Sequence, residues 1–462
     1  MKKPRQAPSF VEILKKMSER SQAENGMDRL QSLLGRADEV QPDHYFHWDE
    51  LRYSGLPTGV SAEEWWFLLK LQRQSLRQVM PLLEKSGAAL NVVMIPKVLK
   101  TLHEIDLHAG GQIRMPEEVT NPETKDSYYV SSLIEEAITS SQLEGASTTR
   151  KVAKEMLQTG RAPRDRSERM ILNNFLAMKR LGVLKHKPLT PELILEIHEI
   201  VTRDALDDPT AAGRFRRKDE EIGVYDHHSN ALMHMPPPAE ELEARINGLC
   251  DFANKTQPFV HPVIRSIILH FMIGYDHPFV DGNGRTARAM FYWSMLRHGY
   301  WLAEFISISQ IVLKAPAQYA RAFLYTETDE SDLTYFILYH LKVIMRALTS
   351  LHDYIARKTA EIRALENELR GTAALNHRQR DLIRHAMRHP GKFYTVKGHQ
   401  LSHNVSYESA RTDLLDLAHR DLLEARREER GQGGRWVFVA QPNLVGRLAA
   451  MANHASGSGT LL

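Results

Sequence analysis

Cysteine is almost missing. Cys250 is the only one in 462 residues, which excludes an intramolecular disulfide or a multi-thiolate metal centre and leads us to expect a cytoplasmic location. Long apolar runs are missing too. The most apolar stretch, Val263 to Tyr275, is broken by Arg265 and His270, and it falls short of the roughly 20 residues that span a bilayer, so no membrane partner is expected. The opening MKKPRQAPSFVEILKK has basic residues but no following apolar segment with a small-residue cleavage site, and so does not read as a secretory signal. Charge of one sign is scarce as well. With 60 Lys and Arg against 57 Asp and Glu the net charge is +3, which removes a general polyanion-binding role and confines any nucleic-acid contact to a local surface. What remains is a composition typical of folded soluble proteins, 42% hydrophobic and 25% charged, and the length calls for two or three packed units.

Residues 1–40 carry only a short amphipathic pattern, Phe10, Ile13, Leu14 and Met17, before Gly26, and read as a weakly ordered arm. Residues 41–125 read as a helical domain. In it Phe46, Trp48, Trp65, Trp66 and Phe67 pack, and a helical period runs through Leu68, Leu71, Leu76 and Val79. Helices follow between Tyr128 and Leu184. Another has Thr190 as N-cap and Pro191 at its first position, and is expected to end near Asp207 to Pro209. Strand-like pieces from Glu221 to Tyr225 and from Leu232 to Met235 flank a polar turn and predict a β-hairpin, closed by Pro236 to Pro238. Helices are predicted again over 239–254, 262–275 and 288–298, and a long connecting helix over 336–370.

The chemistry concentrates in residues 277–288, HPFVDGNGRTAR. Two glycines flank Asn283 just ahead of a helical sequence, and such a turn aims several backbone N–H groups, with the positive end of the helix, at one spot. That is an anion nest suited to phosphate oxygens. Arg285 and Arg288 lie on one helix face and add two forked cations. Asp281 supplies the hard oxygen that Mg²⁺ requires, with phosphates and water to complete its shell. His277 is the nearby group able to take a proton near neutral pH.

In order, these residues match HxFx(D/E)GNGRxxR at every specified position, and over roughly residues 130–310 the chain resembles the Fic family. The resemblance implies a mainly α fold: a Fic-type helical bundle with a β-hairpin flap, set in residues 126–335. It implies a protein adenylyltransferase using ATP as substrate with Mg²⁺. His277 would deprotonate a Ser, Thr or Tyr hydroxyl of a target protein, Asp281 would hold the metal, and Gly282, Asn283, Gly284 and Arg285 would cradle the phosphates. Arg288 would reach the terminal phosphates. The flap, through Ile222, Gly223, Val224, Tyr225, Met233 and His234, would align the target by strand addition. His227 and His228 fall in the same flap. Two positions depart from the usual family text: Ala287 stands where glycine is frequent, and Asp276 where an apolar residue is common. Asp276 would raise the His277 pKa only if the two side chains faced each other, which adjacent residues at a helix end usually do not.

Upstream, Ser140-Ser141-Gln142-Leu143-Glu144-Gly145 is similar to the family's inhibitory helix pattern (S/T)xxxE(G/N). The resemblance implies that Glu144 pairs with Arg288 where the ATP γ-phosphate belongs, with Ser140 one turn earlier and Gly145 ending the helix.

Residues 371–440 read as a separate winged-helix-like domain, with a recognition helix over 405–417 and strands at 422–427 and 436–439 around a Gly-rich turn at 431–434. Residues 441–462 read as a tail. Twelve basic residues against eight acidic ones make only a modest excess. Ser406, Tyr407 and Arg411 are the candidate contacts, with Arg426, Arg427 and Arg430 on phosphates if the partner is DNA. Asp413 and Asp416 on the same helix favour a protein partner. The pairs His385/His389 and His399/His403 have helical metal-ligand spacing but no further ligands nearby, and read as surface histidines. Cys250 reads as a buried apolar residue. Two other uses of the site stay open, AMP removal or transfer of another phosphate-containing group, as does a DNA-binding regulator whose Fic domain senses nucleotide. Self-modification and homodimerisation also stay open.

Overall fold

A computed structural model describes residues 2–22, 26–41, 44–110, 122–220, 222–226, 229–371, 375–389, 391–428, 435–444 and 446–448. The expected arm is instead two helices, α1 (Phe10–Ser21) and α2 (Gly26–Leu34). Ser9 and Glu12 form a capping box on α1, and Ile13, Met17 and Leu33 are buried in one apolar cluster with Trp66, Phe67 and Leu69. The short α3 (Trp48–Leu51) and α4 (Ala62–Ser75) complete that cluster. Beyond α4 the helical period fails. Residues Arg77–Leu83 (β1) and Ala89–Val93 (β2) pair antiparallel, with Met80 and Leu82 inward and Val79 and Leu83 outward. The period-2 burial and the turn at Gly87 overrule the i, i+3 reading of Leu76 and Val79.

Helices α5 (Pro96–Ile105), α6 (Pro122–Leu143), α7 (Arg150–Thr159) and α8 (Arg166–Leu184) follow. Next comes α9 (Pro191–Thr202), with Thr190 Oγ1 accepting from the Leu193 N–H and Pro191 in its first turn; it stops earlier than its sequence suggested. The flap is β3 (Val224–Tyr225) against β4 (Leu232–His234). Glu221, expected to open the first flap strand, and His227 and His228, expected in the flap, lie outside the described residues. Helices α10 (Leu242–Asn254), α11 (Pro262–Asp276) and α12 (Asn283–Arg297) form the heart of the bundle, and nearly every residue of α11 and α12 is buried. Helices α13 (Ile308–Leu313), α14 (Pro316–Thr328) and α15 (Thr334–Gly371) come next.

The chain divides into two compact units, Met1–Ile113 with Tyr129–Thr349, and Arg114–Tyr128 with Ser350–Leu462, so the boundary falls within α15. In the second unit α16 (His377–Arg388), β5 (Phe393–Tyr394), α17 (Val396–His403), α18 (Tyr407–His419), β6 (Leu423–Glu428) and β7 (Arg435–Ala440) follow in sequence, the sheet running β5-β7-β6. Ile383, Ala410, Leu414, Leu417, Leu422 and Phe438 form its own core. His399 is buried rather than superficial, its Nε2 3.2 Å from Asp413 Oδ2, while Arg378 Nε donates to the same oxygen at 2.7 Å. Arg430, the Gly-rich turn expected at 431–434 and residues 445 and 449–462 of the expected tail lie outside the described residues. A chain ending at residue 371 is expected to keep the melting transition of the first unit, because the 375–448 core is built from its own residues. Scanning calorimetry of both chains checks this, and a truncated chain without a cooperative transition would contradict it.

Candidate functional site

The site grows from the junction of α11 and α12. Helix α11 ends on His277, whose φ of 45° is the left-handed turn of a helix C-terminus. Pro278 has no N–H with which to cap the helix. The His277 ring does so instead: Nδ1 lies 3.0 Å from the Gly274 carbonyl, which can only accept, so Nδ1 carries the proton and Nε2 is left as a base. Burial holds the imidazole pKa below its usual value, against the opposing pull of the Gly274 hydrogen bond, so the ring is neutral around pH 7.

The loop returns through Phe279, fully buried and stacked on His198 at 3.6 Å between ring centres. Gly282, at φ 83°, forms the N-cap of α12, and a Cβ there would collide with Thr202. The Asn283 side chain spans the loop, accepting from the Phe279 N–H at 3.0 Å and donating to the Phe279 carbonyl at 2.8 Å. Its side-chain amide therefore holds the loop closed and leaves its backbone N–H in the turn that opens α12. His198 fixes the same loop, and sequence reading missed it. The Gly213 N–H donates to its Nδ1 at 3.1 Å, so Nε2–H donates to the Asp281 carbonyl at 2.9 Å. Burial lowers its pKa to about 4, and it stays neutral while doing this. No local motif marks it, because its partners come from two other segments, Gly213 and the 279–281 loop.

At the start of α12, Arg288 is buried and engaged by α6: Nε donates to Ser140 Oγ at 2.8 Å, Nη2 to the Ser140 carbonyl and to Glu144 Oε1, each at 2.9 Å. Burial opposes its charge most strongly, but Glu144, Tyr319 and Glu136 together outweigh that penalty and the Arg288 pKa is raised. A methyl group on Gly284 would collide with that same carboxylate. Glu144 thus sits against the first turn of α12, where backbone N–H groups and the helix dipole attract an anion. Gly145, at φ 91°, ends α6 as expected. Deeper on α6, Glu136 accepts from Tyr292 and Ser307 and from the N–H and hydroxyl of Ser309, which binds the helix to α12 and α13.

Arg285 is also buried, donating from Nη1 to the Val201 carbonyl at 2.8 Å, and its Nε is without a partner. Asp281 is half-exposed. One carboxylate oxygen faces the Gly282 N–H and Arg285, and the other lies 3.5 Å from Arg166, whose better partner is Asp207 at 2.7 Å. Asp276 turns away from His277 and bonds Arg245 Nε at 2.7 Å; burial raises its pKa to about 6 in spite of that arginine.

In the flap, Tyr225 and Leu232 are exposed, while Ile222, Gly223 and Val224 are half-buried and Met233 is buried. His234 does not face a target: it is buried, Nδ1 2.8 Å from Glu327 Oε2 and Nε2 2.7 Å from the Tyr275 carbonyl. Ser406, Tyr407 and Arg411 belong to the second unit. There Ser406 caps α18 by accepting from the Ser409 N–H, and Tyr407 and Arg411 are exposed.

Residues 188–295 match the Fic/DOC family. The chain is 34% identical over 119 residues to the protein adenylyltransferase Fic of Nematostella vectensis, covering 26% of this chain and 25% of that protein. It is also 34% identical over 134 residues to that of Aedes aegypti, covering 28% and 25%. The matched stretch thus spans about a quarter of these curated relatives. A Fic family protein from Desulfovibrio desulfuricans shares the fold, with a TM-score of 0.51 and 19% identity over 76% of this chain and 97% of that one. Matched sequence and shared fold agree: residues 188–295, with the loop that brings His277, Asp281 and the glycines opening α12 together, form a domain that matches the Fic/DOC family.

Proposed function

We propose that the chain transfers AMP from ATP to a hydroxyl of a target protein and that Glu144 restrains it. The observation that carries the reading is the Glu144 carboxylate on Arg288 and Gly284, an internal anion in a site shaped for phosphate. Curated relatives named protein adenylyltransferase supply the reaction class. His277 Nε2 takes the proton of the acceptor hydroxyl, whose oxygen attacks the α-phosphorus. The bond from that phosphorus to the bridging oxygen breaks, and pyrophosphate leaves with the electron pair. Arg285 and the N–H groups opening α12 bind the developing negative charge.

Asp281 fits Mg²⁺: it is a half-exposed carboxylate whose outer oxygen has only a long contact to Arg166. A bound Mg²⁺ would neutralise phosphate charge, sharing its shell between this oxygen, the nucleotide and water. Asp281→Ala is expected to abolish the Mg²⁺ dependence of nucleotide binding, read by calorimetry with and without the metal; unchanged dependence would place the ion elsewhere.

Among the described residues from 375 to 440, three helices and a three-stranded sheet support a winged-helix-like reading. Its charges favour a protein partner over DNA, since Arg378, Arg420 and Arg426 are each paired with an acid. The direct test of function is intact-mass analysis of lysate proteins after incubation with ATP and the Glu144→Gly protein. A gain of one AMP unit is expected, and no mass gain on any protein would refute the reading.

A further inference from the structure

The C-terminal end of α11 poses an accounting problem. A helix leaves its last four carbonyls without intrahelical partners, and buried ones must find others. Here the Ile273 carbonyl accepts from the His277 N–H at 3.1 Å and the Gly274 carbonyl from His277 Nδ1. The remaining carbonyls are satisfied from outside the helix. His234 Nε2 serves Tyr275, and Arg216 serves Asp276 from Nη2 at 3.4 Å and His277 from Nε at 2.9 Å. The Arg216 N–H donates to Pro278 at 2.9 Å, and its Nη2 also reaches the Pro237 carbonyl just beyond β4. His234 lies in β4, and Arg216 precedes β3. Both side chains are buried, and Glu327 on α14 braces the far side of His234.

We propose that Arg216 and His234 are positioning residues that make the flap stem the C-terminal cap of α11, holding the flap and the His277 imidazole in one rigid frame. The proposal rests on the adenylyltransferase reading, in which a target segment adds to the flap edge. Swinging the flap as a free lid would strip three carbonyls beside the base of their donors. A frame anchored here instead fixes the docked hydroxyl relative to Nε2, where misplacement by about 1 Å costs on the order of a hundredfold in rate.

Hydrogen exchange and histidine NMR on the full chain test this without any turnover. His234→Ala is expected to speed exchange about tenfold at the flap amides and at the His277 N–H together, and to move the His277 ring ¹⁵N resonances. In His234→Gln an amide N–H still reaches the Tyr275 carbonyl, and the His277 resonances are expected to stay in place. Arg216→Lys, which keeps the charge but loses the fork, is expected to act like His234→Ala. In a Glu144→Gly background His234→Ala should lower kcat at least tenfold with ATP affinity within about twofold of its parent. Faster exchange in the flap alone, with His277 unmoved, would overturn the shared frame. If the Glu144→Gly parent modified nothing, the proposed function would fall, and the exchange result would still decide whether the frame exists.

Discussion

Replacing Glu144 by glycine is expected to raise ATP affinity at least tenfold and to switch on AMP transfer. The carboxylate now holds Arg288 at 2.9 Å and lies on Gly284, so a γ-phosphate must displace it. A hydrogen bond between charged groups contributes about 1.5 to 3 kcal/mol, which corresponds to roughly ten- to hundredfold in a binding constant. ADP has no third phosphate, and its affinity should change much less. Calorimetry with both nucleotides separates the cases. Adding Arg288→Ala should cancel the gain, since the phosphate then has no guanidinium to occupy. Equal ATP affinity and activity in wild type and Glu144→Gly would reduce Glu144 to a structural ion pair.

His277→Ala should abolish transfer while leaving ATP affinity within about threefold, because the imidazole acts on the acceptor and not on the phosphates. Burial lowers the His277 pKa, so protonation, which removes the base, sets in only below its ordinary value of about 6.5. The acid limb of kcat/KM for the Glu144→Gly protein should therefore lie under that value, and no loss should appear between pH 7 and 8 from this group. Transfer by the alanine variant near the parental rate would remove the general base from the account.

The loop chemistry was legible because its parts are local. His277, Asp281, Gly282 and Arg288 fall within twelve positions, and Ser140 with Glu144 within one helical turn, so spacing alone puts them on one face or in one turn. Thr190 and Pro191 announced α9 in the same way. What escaped depends on partners far along the chain. His198 acts by joining Asp281 to Gly213, and Arg216 by joining Pro237 to His277. Nothing near either residue signals that. His234 reads as target-facing from its place in a hairpin, yet it is buried together with its neighbour Met233, and its partners Tyr275 and Glu327 lie far along the chain. The Asn283 side chain closes the turn that the two glycines permit, and this bracing by both Phe279 backbone groups is not signalled by the spacing of the motif. The N-terminal helices were underrated because their apolar residues are few, and those few, Ile13, Met17 and Leu33, pack against α4.

The most direct measurement of the central claim uses ATP labelled with ³²P at either the α or the γ position. Each is incubated with target-containing lysate and the wild-type, Glu144→Gly or Glu144→Gly/His277→Ala protein. Protein-bound label is expected from the α position only, strong with Glu144→Gly, weak with wild type and absent with the double variant. Label from the γ position, or α label that survives loss of His277, would contradict it.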